Sequence, residues 1–411
     1  MAGNLENQAP AKLSPLGRVV SIDTFRGLTI LTMIFVNDLG RVKGVPAWMK
    51  HVPGDANGMT FVDVVFPAFL FIVGMSIPFA LKRRFSSGES LFSILIHIII
   101  RTLGLLIIGV YMVNMESLSW ENLAVNGHWW IVLLFLSVII IWNRYPKSEG
   151  WKELVFIGLR IIGFAILIFL AVIYRRNEGG KIIWMRTSWW GILGLIGWAY
   201  LTSSIAYLLF RRQISAMMGI LGLLTLLYIG DKIGALNFMG IIKEYLWLGG
   251  QIGGHSSITV AGIIVSMLFL ENSPAETPRK RILWILIFGI GLFVAGFLLY
   301  PLYGINKNNA TPTWCLYCSG ICCFIYIFLY WLMDLKKIVK WSDFVNPAGA
   351  NSLLAYILPD IVYSLLALLG ITFLDTHLNA GFPGIIRSAV FSLLMLLITK
   401  FLTNLKIILK F

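Results

Sequence analysis

Apolar runs alternate with short polar turns along almost the whole chain. A hydrocarbon core about 30 Å thick takes about 20 apolar residues per helix, and by that measure twelve runs read as spans. They lie at about 22–40, 60–81, 91–113, 128–143, 153–174, 189–210, 214–230, 255–271, 282–303, 313–334, 350–372 and 386–405, the fourth and seventh being short. Inside lipid every backbone polar group needs an internal partner, which favours helices. The pattern therefore predicts an all-α, polytopic integral membrane bundle of about 10–12 transmembrane helices. Residues 1–17 read as a short polar tail without the apolar segment of a signal peptide, and 18–411 as one transmembrane domain. There is no heptad run, short-period repeat, Walker loop, HExxH, or GxGxxG after a strand.

Composition agrees. Of 411 residues 58% are hydrophobic and 13% charged, with mean hydropathy +0.84; soluble domains carry about 25% charged residues. The net charge of +14 does not point to nucleic acid, because Lys and Arg gather at the ends of apolar runs. Lys82-Arg83-Arg84, Arg211-Arg212, Arg279-Lys280-Arg281 and Lys336-Lys337 fall on one side if the spans alternate, with Arg18, Arg144, Lys147, Lys406 and Lys410. The positive-inside rule makes that side cytoplasmic, with both termini. One loop runs against the rule: 175–186 carries four basic residues on the other side. Cys315, Cys318, Cys322 and Cys323 sit in one apolar run with no companion ligands, so they read as packing residues, and no metal is expected.

The chemistry concentrates in 21–76. Two apolar runs flank a polar loop, with Asp23 and Arg26 at the start of the first run and Asn37 and Asp38 at its end. His51, Asp55 and Asn57 are in the loop, and Asp63 lies just inside the second run. Ionisable groups in or beside membrane spans mark functional positions by default. At about 100° per residue, Arg26 and Asn37 differ by only about 20° around a helix and about 16 Å along it. Asp23, Arg26, Ile30, Met33 and Asn37 thus form one stripe that could line a slot. For Asp23 and Arg26 alone, an N-cap and a snorkelling side chain serve equally well. His97, His128 and His377 read as packing or loop residues. His51 and His255 each sit in an outward segment beside glycine, and Gly253-Gly254-His255-Ser256-Ser257 reads either as a helix mouth that favours an anion or as an ordinary loop with a serine cap. A neutral imidazole can take a proton from an amine or hydroxyl, Asp38, Asp55 or Asp63 could orient it, and Asn37 or Asn57 could polarise an oxyanion. A membrane-embedded acyl-transfer site and a proton-coupled transporter or flippase, for a small anion or a lipid-linked sugar, both use these residue types.

Ser21-Ile22-Asp23-Thr24-Phe25-Arg26-Gly27, Val36-Asn37, Lys50-His51, Asn57-Gly58-Met59-Thr60 and Asp63-Val64-Val65-Phe66-Pro67 occur in that order. The set resembles the membrane acyltransferase family that contains the lysosomal heparan-alpha-glucosaminide N-acetyltransferase and its bacterial relatives. Fainter echoes are GILGLIG at 191–197, Asn306-Lys307-Asn308 with Trp314, and Gly349-Ala350-Asn351-Ser352. The resemblance implies transfer of an acetyl group from cytosolic acetyl-CoA to an amino or hydroxyl group of a sugar or glycan on the far side of the bilayer. It implies His51 and Asn37 at the reacting centre, where Asp63 or Asp38 would orient the imidazole. His51 serves as general base or carries the acetyl group itself. Asp23, Arg26, Asn57, Lys307, Asn351 and Ser352 fall to the donor side, and on charge alone Lys82, Arg83 or Arg101 could meet CoA phosphates. The bacterial members imply a cytoplasmic (inner) membrane. A homodimer is compatible with the apolar, aromatic-rich surface. Three departures bear on the acceptor and part of the donor contacts: VPGDA adds residues after His51, two spans at 128–174 look inserted, and Gly194-Leu195 stands where the lysosomal enzyme has Gln-Arg.

Overall fold

The computed structural model describes residues 19–211, 213–271 and 273–410; the tail expected at 1–17 lies outside them. Among these residues the chain forms fifteen α-helices and one two-stranded hairpin. The helices of the first half are α1 (Val20–Leu39), α2 (Val62–Ser86), α3 (Leu91–Met115), α4 (Gly127–Trp142), α5 (Trp151–Ile173), α6 (Gly191–Phe210) and α7 (Ile214–Lys232). Those of the second half are α8 (Ile241–Leu246), α9 (Ser256–Met267), α10 (Pro278–Tyr303), α11 (Pro312–Leu329), α12 (Asn346–Ala350), α13 (Ser352–Leu368), α14 (Phe373–His377) and α15 (Gly381–Asn404). Strands β1 (Arg176–Glu178) and β2 (Lys181–Ile183) pair antiparallel.

Nine of the described helices are long and apolar enough to cross a membrane. Helices α4 and α13 are shorter apolar helices. The remaining run, the eighth, at 255–271, is a composite: a π-helix at Leu248–His255 leads without a break into α9. The protein is thus a polytopic helical membrane protein.

Long-range contacts sort the loops into two faces. Lys43 pairs with Ala380, Lys307 with His51, Asn114 with Arg186, and Trp190 with Tyr245. At the opposite helix ends Lys82 meets Glu271, Asn143 meets Leu409, and Ser21 meets Asp334. Each span therefore reverses direction, giving a His51 face and a Lys82 face. The basic loop 175–186 lies on the His51 face as the β1–β2 hairpin, where Glu178 takes Arg176 at 3.4 Å and Arg186 at 3.1 Å. Pairing with Glu178 reduces the charge that ran against the positive-inside pattern.

Helix α9 is buried along its whole length, so it is the central post of the bundle. It touches α2 backbone to backbone: a Cβ on Gly74 would collide with the Thr259 carbonyl, and one on Gly262 with that of Phe71. Small residues let membrane helices approach this closely, where dispersion replaces the hydrophobic effect as glue. Helices α4 and α5 form a side pair, joined to each other by Trp130 Nε1 to the Leu170 carbonyl at 3.1 Å and pinned to α3 by Tyr111 Oη to the Leu167 carbonyl at 2.6 Å. This is the pair that the sequence marks as inserted.

Candidate active site

The first polar loop is closed around the start of α2. Asp63 lies in the first turn, where unclaimed backbone N–H groups favour a carboxylate. Its Oδ2 accepts from the N–H of Thr60 at 3.0 Å and of Val52 at 3.4 Å. Thr60 Oγ1 donates to the Lys50 carbonyl at 2.8 Å, and Lys50 Nζ to the Val42 carbonyl at 2.6 Å. These bonds hold His51 above Asp63. His51 Nδ1 is 2.6 Å from Asp63 Oδ1, with the histidine side chain 46% exposed and the carboxylate 2%. A carboxylate can only accept, so Nδ1 carries the proton in this contact, and in the neutral ring Nε2 then presents a lone pair.

A third group comes from across the chain. The loop between α10 and α11 brings Lys307 Nζ to 3.0 Å from His51 Nδ1 and 3.7 Å from Asp63 Oδ1. The two donors converge on one carboxylate oxygen. Burial outweighs the carboxylate and holds the Lys307 ammonium below the usual lysine value. The loop is docked by Asn57, whose Oδ1 accepts from Ile305 N–H at 2.8 Å, and by Asn306 Nδ2 to the Gly54 carbonyl at 2.8 Å. Gly304 has φ +59°, and a Cβ there would press on Asn57 Oδ1 at 3.0 Å. The VPGDA insertion thus supplies the surface on which the Lys307 loop sits.

At the other end of α1, Arg26 donates to Ser76 Oγ at 2.7 Å and the Gly349 carbonyl at 3.3 Å, and pairs with Asp23 at 3.5 Å. Asp23 does not cap the helix. The first N–H groups, of Val20 and Ser21, go to the carboxylate of Asp334 at 3.2 Å each. Between the two ends lies a cavity of about 260 Å³. Ser352, Lys410 and Arg101 line its polar side, and Met33, Phe69 and Tyr356 are among its apolar walls. Arg101 lies 4.5 Å over the Tyr200 ring, and its buried Nε has no partner among the described residues. Met33, Phe69 and Tyr356 also pack with Val62 and Val65, which flank Asp63 on α2. From Asp63 to Phe69 is about 9 Å along the helix. Tyr356 also borders a smaller chamber of about 70 Å³, with Asn37, Asp38, Arg41, Asp360 and Tyr363. Ile30, Met33 and Asn37 of the α1 stripe therefore face two cavities that share Tyr356.

The residues expected on the donor side divide. Asp23, Arg26, Asn351 and Ser352 are at the Lys82 end, whereas Asn57 and Lys307 are on the His51 face. Asn351 is held in place: Nδ2 donates to the Ile407 carbonyl at 2.8 Å and Oδ1 accepts from Leu409 N–H at 3.1 Å, which sets Leu409 and Lys410 at the cavity mouth. Of the three carboxylates considered for His51, Asp63 makes the contact. Asp38 instead forms a buried pair with Arg387 at 3.1 Å and accepts from Tyr363 Oη, and Asp55 is exposed. The anion-binding helix mouth expected at Gly253–Ser257 is absent. His255 and Ser256 lie inside the continuous π-to-α helix, where Ser257 Oγ bonds the Gly254 carbonyl at 2.6 Å, so no free N–H groups open there. The four cysteines are buried free thiols. Asp334, Arg387 and Tyr356 escaped the sequence reading. An arginine in an apolar run is itself a signal, and Arg387 had it.

A two-faced helical membrane protein, with an ionisable site on one face and a basic cavity opening from the other, is the class these features define. The chain belongs to the family described as a domain of unknown function, DUF5009, whose profile matches residues 18–245. It is also similar to the curated mouse heparan-alpha-glucosaminide N-acetyltransferase, 25% identical over 389 residues covering 85% of this chain and 54% of that protein. The human protein of the same name is 38% identical over 114 residues, 27% of this chain and 16% of its own length. The chain spans about half the length of the mouse relative it matches. The resemblance read from the motifs is borne out.

Proposed function

We propose that the protein is a membrane acetyltransferase that uses acetyl-CoA from the Lys82 face and acetylates an amino or hydroxyl group of a sugar at the His51 face. The observation that carries this reading is the His51–Asp63 pair, with its free Nε2, set about two helical turns beyond a basic cavity on α2. Curated relatives named as N-acetyltransferases support the reaction class. The Lys82 face is taken as cytoplasmic because Lys82, Arg83, Arg84, Lys147 and Lys336 gather there.

In this reading the CoA phosphates meet Arg101, Lys410 and Arg26 at the cavity mouth, and the acyl arm runs past Met33 and Phe69. The sugar nucleophile approaches Nε2, which takes its proton as the nucleophile attacks the thioester carbonyl. Asn37 is the donor assigned to the developing oxyanion. The C–S bond then breaks, and CoA leaves as the thiolate toward the Lys82 face. Asp63 keeps the imidazole in the required tautomer and balances the charge it gains. Lys307 shares the carboxylate and tunes that balance. No metal is needed for these steps.

The test uses purified protein with labelled acetyl-CoA and glucosamine or a glucosaminide. Labelled acetyl-sugar is expected from the native protein. Its absence at any acceptor concentration, with no stabilisation by acetyl-CoA, overturns the reading.

A further inference from the structure

A third cavity, of about 410 Å³, opens on the Lys82 face where α2, α6, α7 and the end of α9 converge. It shares no lining residue with the cavity at Arg101. Its floor is apolar, with buried Met267 and the buried ring of Tyr207 beside Leu270. Its rim carries two cations, Lys82 and Arg211, one carboxylate, Glu271, and two hydroxyls, Ser86 and Ser273. Arg211 lies 4.3 Å over the Phe85 ring. No carboxylate lies within ion-pair distance of it among the described residues, so its planar donors are held by stacking and open to a ligand. Lys82 meets Glu271 at 2.7 Å, but the glutamate side chain is 82% exposed. Exposed ion pairs contribute about 0–1 kcal/mol, so a better anion can displace Glu271.

We propose that this cavity is a binding site for a phosphate-bearing anion, gripped by Arg211 and Lys82 at the rim. A phosphate oxygen pair matches the arginine fork, and Lys82 adds a point charge. The apolar floor and the position at the helix ends suit the headgroup of an anionic phospholipid, a recurrent ligand of basic pockets between membrane helices. Its tails would lie along the lipid-facing side of α6, where Leu209 is 71% exposed. Free phosphate offers the same chemistry without tails. The site does not depend on the acetyl-transfer reading.

The experiment is native mass spectrometry of the full-length protein with phosphatidylglycerol, with phosphatidylcholine, and with inorganic phosphate as competitor. The native protein is expected to retain phosphatidylglycerol at least fivefold better than phosphatidylcholine, and the Lys82→Ala/Arg211→Ala variant to lose that preference. Ser86→Trp blocks the mouth without altering charge and is expected to lose it too, which covers the case of a double variant that does not fold. Lys147→Ala, a basic residue elsewhere on the same face, leaves retention unchanged. If phosphate alone raises the Tm and both variants abolish the rise, the ligand is free phosphate. Equal retention of both lipids with no rise in Tm from phosphate, or a lipid preference or phosphate-induced rise that is unchanged in the two cavity variants, overturns the proposal.

Discussion

Two histidines in this molecule sit beside α2 and have opposite surroundings. His51 stands on a loop, half exposed, with a buried carboxylate at 2.6 Å and a lysine at 3.0 Å. His255 is sealed inside the bundle, with Phe66, Trp247 and Trp314 edge-on at 5.4–6.2 Å and Gln251 Oε1 at 3.2 Å. One ring has a carboxylate partner and, among the described residues, no partner on its second nitrogen; the other has aromatic walls and a neutral amide. In sequence the two look alike, each in an outward segment beside glycine. What separates them is the carboxylate that a different segment supplies, which fixes the orientation and tautomer of the His51 ring. The π-helix ending at His255 turns that ring into the core instead.

The largest expected effect tests this contrast directly. His51→Ala should lower acetyl transfer by about 10³-fold or more, and Asp63→Asn by about 10²–10⁴-fold through the wrong tautomer. Both variants should stay monodisperse with near-native circular dichroism, read alongside turnover in one preparation. His255→Ala should do the reverse. Removing a buried ring that touches three aromatics costs about 3 kcal/mol of stability, seen as a lower Tm, with transfer by the folded fraction within about threefold. Should His255→Ala abolish turnover with an unchanged Tm, the two sites would have to exchange roles.

Smaller effects sharpen the same picture. Saturating acetyl-CoA, at about 100 times its Kd, should stabilise the native protein by about 2.7 kcal/mol, because it binds only the folded state. Arg101→Leu should shift that titration to higher concentration by about tenfold while leaving kcat nearly unchanged. Lys307→Met should lower kcat by about tenfold. The ammonium of Lys307 is held below the ordinary lysine value, so it is lost as pH rises; the alkaline limb of the native pH profile should follow that loss and flatten in the variant.

The sequence already contained the twelve runs, their two-sided alternation and the ionisable residues of 21–76, because each is a local property. The α1 stripe was legible for the same reason: helical periodicity put Ile30, Met33 and Asn37 on one side, and they do face cavities. What could not be read depends on partners far away in the chain. Asp334 caps α1 from more than 300 residues off, Arg387 takes Asp38, and Lys307 reaches His51 through a loop docked on Asn57. The motif groups Asn57 and Lys307 with the donor because it carries residue type and order but no depth in the membrane. The π-helix escaped because glycines in 248–255 signal a loop unless packing supplies the helix.

The central claim is that donor and acceptor meet from opposite faces. Proteoliposomes of uniform orientation, with labelled acetyl-CoA supplied only at the Lys82 face and a membrane-impermeant glucosaminide only at the His51 face, measure it most directly. Labelled sugar is expected in the His51-face compartment, and its loss is expected in His51→Ala. Labelling that requires both substrates on one side, or that survives His51→Ala, would contradict it.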